Sequence, residues 1–171
     1  MSGTDSNAGA APGPRELPGV AELEEQAQGL VLPRFGYDEA WRLGSLLVEL
    51  ARARRAPVAI DIHSGAQQLF HSALPGSSAD NHGWIDRKRR VAERYGAASL
   101  LVGARFRAKG QTFEESSRLD PARYAAHGGA VPVFIEGAGA GAVATVTVSG
   151  LPQAEDHALV VEALKTLRAE L

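Results

Sequence analysis

The chain contains no cysteine. That removes disulfides, thiolate metal sites and cysteine nucleophiles together, although it leaves the redox compartment open. It also lacks a surplus of charge: 18 Lys and Arg stand against 20 Asp and Glu, for a formal net charge of −2 over 171 residues. A balance so near neutral offers no strong pull toward nucleic acid or an anionic membrane surface. No apolar run approaches the roughly 20 residues needed to cross a bilayer. Residues 1–14 have neither a basic start nor an apolar centre, so they do not read as a secretory signal and a cytoplasmic location is expected. Internal repeats are absent. No nucleophile elbow or ordered Ser/His/Asp set stands out, and the histidines lack the spacing of a four-ligand zinc site.

What is present fits one domain. Hydrophobic residues make up 44% of the chain, enough for a core. Residues 1–16 are small, polar and proline-bearing, and are expected to form a disordered tail ahead of a single domain over 17–171. The first 29 residues carry a net charge of −4, most of it in Glu22, Glu24 and Glu25. Val20, Leu23 and Ala27 recur at helical spacing there. Ala40, Leu43, Leu47, Leu50 and Ala51 form an apolar stripe on a helix expected over 38–54. Val58, Ile60 and Ile62 alternate with Ala59, Asp61 and His63, predicting a hairpin through Ser72 with Ser64-Gly65 as its turn and Asp61 opposite Gln68. Helices are expected over 80–94 and 97–107, an irregular stretch over 112–124, and strands over 131–136 and 142–149. The last helix begins at Pro152, with His157, Val160, Val161, Leu164, Leu167 and Leu171 on its apolar stripe. This order describes an antiparallel sheet with packed helices, an α/β (α+β) class, not an alternating βαβ chain.

The candidate site residues sit where these elements join. Gly137 to Gly141 leads into a strand rather than a helix, so it reads as a hairpin connection and not as a dinucleotide loop. His127-Gly128-Gly129 precedes a strand; its glycines suit either a simple entry turn or close approach of backbone to a ligand. Asp156 and His157 are helix neighbours about 100° apart, so they form no dyad with each other, yet both can reach a pocket at the helix start. His157 reads equally as a core histidine bonded to backbone. Should His127 and His157 converge, neutral imidazoles could hold a metal or haem iron. On the helix before Gly96, Trp84 can stack on a planar ligand while Lys88 or Arg90 holds its acidic groups. The plain alternative there is packing of Trp84 in the core or a subunit interface. The run Arg87 to Arg90 lacks the surrounding basicity of a nucleic-acid surface.

The order His127-Gly128-Gly129, Pro132, Gly141, Val148-Ser149-Gly150 and Asp156 resembles the haem-degrading (HbpS-like, GlcG-like) domain family. The hairpin from Val58 to His71 fits that family's opening strands. The segments Asn81 to Arg90 and Ser149 to His157 resemble a branch known only as an uncharacterised protein family. The resemblance spans residues 30–171. It implies a profilin-like fold, a five-stranded antiparallel sheet with helices on both faces, and a homo-oligomer. The leading expectation is a bound small ligand, with haem as the candidate cofactor, in a pocket drawn from His127, Gly128, Gly129, Asp156, His157, Trp84, Lys88 and Arg90; the resemblance itself places no haem ligand on a particular residue. A non-enzymatic assembly or adaptor protein is the alternative. An enzyme acting on a small carboxylate or a cobalamin-like ligand rests on fold analogy alone.

Overall fold

The computed structural model describes residues 16–171; the expected disordered tail lies, up to residue 15, outside them. Helix α1 (Val20–Gln28) is followed by α2 (Tyr37–Ala53), strands β1 (Ala59–Ser64) and β2 (Gln67–Ala73), and helices α3 (Ala79–Tyr95), α4 (Ser99–Ala108) and α5 (Phe113–Ser117). Strands β3 (Ala130–Val133) and β4 (Ala144–Ser149) and helix α6 (Gln153–Glu170) complete the chain. The strands form one antiparallel sheet in the order β2-β1-β4-β3.

Alternation along the strands makes two unlike faces. Ile60 and Ile62, paired with Val148 and Val146, line one face, and α2 and α6 pack there through buried Leu43, Leu47, Val160 and Leu164. Ala59, Asp61, Thr145, Thr147 and Ser149 line the other, and α3 crosses it. A sheet with helices on both faces must carry apolar residues on both sides, yet β4 is wholly buried with three hydroxyl side chains on one of them. Those hydroxyls are what make the α3 side of the interior polar.

Two expectations are corrected. The sheet has four strands, not five. At the place of a fifth, Leu32 makes one parallel bridge to Ile135, its N–H donating to Phe134 and its carbonyl accepting from Glu136, both at 2.9 Å. The connector around Leu32 is tied at one end to the C-cap Gly29 of α1 and at the other to the N-cap Gly36 of α2. Pro33 bends it, so no length remains for a longer strand. The first hairpin also differs in register. Ser64 pairs with Gln67, so Gly65-Ala66 forms the turn, with Gly65 at φ +55°. A bulge at Ile62/His63 then places Asp61 opposite His71. The expected contact survives diagonally: Gln68 Nε2 donates to Asp61 Oδ1 at 2.6 Å. Within the stretch expected to be irregular, α5 is nucleated by Thr112, whose Oγ1 accepts from the Glu115 N–H at 3.3 Å.

Candidate functional site

Trp84 and Lys88 are one turn apart on α3 and project toward the end of β4. Lys88 is 3% exposed and Asp156, in the first turns of α6, is 1% exposed. Opposite charges stranded on the apolar sides of two helices have one stable outcome, which is to pair. Lys88 Nζ donates to Asp156 Oδ2 at 2.9 Å and to the Val148 carbonyl at 3.2 Å. The Asp156 carboxylate also accepts the backbone N–H groups of Leu151, at 2.9 Å, and Gly150, at 3.3 Å. The pair therefore ties α3, the end of β4, the β4–α6 turn and α6 to one point. Burial pushes the Lys88 ammonium below its ordinary range and the Asp156 carboxyl above its own, and each partner opposes the other's shift.

The two glycines of His127-Gly128-Gly129 explain how the backbone passes this point. Gly129 has φ +134°, and a Cβ there would strike the Val148 carbonyl and come within 2.9 Å of Lys88 Nζ. At Gly128 a Cβ would strike the Gln153 carbonyl, and its N–H donates to Gln153 Oε1 at 3.1 Å. Chain, lysine and aspartate thus fit together only without side chains at 128 and 129.

Above the pair is an open cleft of about 250 Å³, lined by Asn81, Trp84, His127, Ser149, Leu151 and Gln153 together with Lys88 and Asp156. Trp84 and His127 form one wall, their ring centroids 5.2 Å apart. Burial pushes the His127 imidazole below its usual value; Glu114 opposes this, while Lys88, Arg107 and Arg87 reinforce it. The ring is therefore neutral at pH 7 and offers a nitrogen lone pair. The Arg87 guanidinium lies 4.0 Å over the indole of Trp84 and is the cation beside this wall. Ser149 Oγ accepts from Asn81 Nδ2 at 3.4 Å. An amide in that position cannot take a proton, so Ser149 is not arranged as an activated nucleophile.

The cleft gathers Trp84, Lys88, His127 and Asp156, with Gly128 and Gly129 beneath. It does not gather His157 or Arg90. His157 lines a different cavity, where its Nε2 lies 2.7 Å from Gln26 Oε1, so the two histidines do not converge on one ligand. Its position on the apolar stripe of α6 turns it toward α1 and α4. Arg90 donates to the Arg123 carbonyl at 3.4 Å. Lys88, expected to neutralise a ligand, is instead committed to Asp156. The sequence reading missed Gln153, Leu151 and this pairing itself. The available signal was one lysine and one aspartate, each beside an apolar stripe.

Fold and cleft together define a mixed α+β domain with a four-stranded antiparallel sheet and a polar cleft where α3, β4 and α6 meet. The model of the "Haem degrading protein HbpS-like" family matches residues 35–165. A UPF0303 protein of Streptomyces coelicolor is 71% identical over 153 residues, which cover 90% of this chain and 96% of that protein. The chain belongs to the HbpS-like family, in the branch whose relatives carry the name UPF0303. Among solved structures, the Ybr137w protein matches with a TM-score of 0.82 at 36% identity, covering 91% of this chain and 90% of that one. A PduOC:heme complex shares the fold, with a TM-score of 0.63 at 15% identity over 78% of this chain and 94% of that one.

Proposed function

We propose that the protein binds a small ligand at the Trp84–His127 cleft, and that haem is that ligand, held at the mouth of the cleft. The observation that carries this reading is a neutral, half-buried imidazole beside an indole face, with Arg87 over the same indole. His127 would offer its imidazole to the iron, Trp84 would contact the planar ring, and Arg87 would hold a carboxylate. The haem complex among its structural neighbours and the family to which the chain belongs support the same choice. At about 250 Å³ the cleft is below the usual ~300–1,000 Å³ of enclosing ligand sites, so a haem group would project from it. Bound iron would supply ligand binding or redox chemistry; the residues of this chain orient and hold it. Haem titration followed by the Soret band tests the reading. A shift at micromolar haem that His127→Ala abolishes and His157→Ala preserves is expected; an unshifted spectrum refutes it.

A second observation favours self-association alongside binding. Tyr37 and Trp41, one turn apart on α2, are 71% and 68% exposed. Exposed aromatics in neighbouring positions mark association surfaces more often than free surface. Trp84, by contrast, faces the cleft. Light scattering should show an oligomer that Trp41→Ala weakens and Trp84→Ala does not; a monomeric parent protein refutes it.

A further inference from the structure

The two edges of the sheet are built differently. On the β3 side the strand contains Pro132, and Leu32 covers the stretch beyond it through its bridge to Ile135. A proline and a covering segment both keep an edge from pairing. On the β2 side neither is present. Gln67–Ala73 holds no proline and no Lys, Arg, Asp or Glu, and among the described residues nothing pairs with its outer side. The bulge opposite Ile62/His63 disrupts the first half of that edge and leaves Phe70 to Ala73 regular. Just beyond, the Leu74 N–H donates to the Val58 carbonyl at 3.0 Å. Alternation then turns the N–H and C=O groups of Ser72 and Phe70 toward β1, and those of His71 and Ala73 outward.

Helix α2 extends this edge. It meets α6 on the side of Arg42, which pairs with Glu170 at 2.7 Å. Its other side hangs over β2: the rings of Trp41 and Phe70 are 5.7 Å apart, and Tyr37 Oη donates to Gln67 Oε1 at 3.3 Å. The exposed aromatics and the bare edge are therefore one surface. Tyr37 and Trp41 from two copies could together bury roughly 600 Å². That is about half of the ~1,200 Å² of a small stable interface. The aromatics alone are too little, and the strand beside them completes the area.

We propose that two copies of this chain pair through β2, edge to edge and antiparallel, so that their four-stranded sheets join into one. The inference rests on the self-association read above from Tyr37 and Trp41, and it names the contact. A two-fold axis at Ser72 sets His71 of each copy against Ala73 of the other, and every outward N–H then meets a carbonyl. Each α2 lies against its copy and shields the aromatics from water. The occupant is a second copy because the strand lacks acidic and basic side chains: it meets itself without repulsion and offers a charged partner nothing to pair with.

Light scattering and amide hydrogen exchange on the same protein test this. The parent is expected to form a dimer, or a multiple of one, with the His71 and Ala73 amides protected. Ala73→Pro deletes an outward N–H and no bond to β1. It should weaken association at least about tenfold and free the His71 amide, while the Phe70 amide stays protected and reports an intact hairpin. An oligomer whose His71 and Ala73 amides exchange freely overturns the pairing and leaves the Trp41 surface standing. A monomer with free amides removes both readings. Protection of these amides in a monomer means that another segment covers the edge, and overturns the pairing too. So does unchanged association in an Ala73→Pro protein that keeps Phe70 protected. If Ala73→Pro does not fold, the exchange of the parent amides decides.

Discussion

Removing the Lys88 side chain is the sharpest test of how the cleft is held together. Lys88→Met keeps most of the volume and deletes the ammonium. The Asp156 carboxylate loses its 2.9 Å partner but retains the Leu151 and Gly150 N–H donors and its place near the positive end of α6. The cost should therefore fall at the lower end for a broken buried pair, about 3 kcal/mol. Asp156→Leu is worse. It strands the ammonium with only the Val148 carbonyl and leaves two backbone donors unmatched, for about 5 kcal/mol. In the double variant the stranded charge is gone, so its cost should be about 2–3 kcal/mol less than the sum of the single costs. Urea unfolding of the four proteins completes the cycle. At about 2–4 °C per kcal/mol for a chain of this size, Lys88→Met should also melt roughly 6–12 °C lower. Additivity within about 0.5 kcal/mol would refute the reasoning, because ammonium and carboxylate would then not sense each other. A Lys88→Met cost below about 1 kcal/mol would place the pair among solvent-screened surface bridges.

The remaining predictions concern neighbouring parts of the same frame. His157 titrates at about 4 when folded, below its ordinary value of 6.5, so protonation favours the unfolded chain. Its contribution is fully present above pH 6.5 and is lost as pH falls toward about 4. The loss is on the order of 3 kcal/mol, and urea midpoints of the parent and His157→Gln across that window should converge at the acid end. Gly129→Ala should cost about 2–4 kcal/mol in thermal or urea unfolding, since its methyl meets the Val148 carbonyl and the Lys88 ammonium at φ +134°. Trp84 lines the cleft and Trp41 does not, so bound haem should quench the tryptophan emission of Trp41→Phe, where Trp84 alone remains, more completely than that of Trp84→Phe; equal quenching of the two variants would count against this placement.

Local pattern carried much of the fold into view. The apolar stripes of α2 and α6 and the glycine-linked strands β3 and β4 were legible, because each is written within a few residues of chain. Element boundaries were less so: β3 ends at Val133, where the sequence reading continued to Glu136. The missing fifth strand was invisible because it depends on how two helix ends pin one short connector. The hairpin register slipped because a bulge reads locally like any other strand residue.

Residue types alone determined that thiol chemistry is excluded, that helices pack on an antiparallel sheet, and that chemically distinctive residues gather near His127 and Asp156. The family was also legible, since its glycines and its aspartate mark places where backbone, lysine and carboxylate must meet closely. Only the tertiary structure decided which charges are spent on the frame and which stand beside the open cleft. Lys88 lies 68 residues from Asp156 in sequence and pairs with it because each is the opposite charge beside the other's burial site. His157 lies 30 residues from His127, yet the turn of α6 sends it to a different cavity. Such choices arise from burial and distance across the chain, which no local stretch of sequence contains.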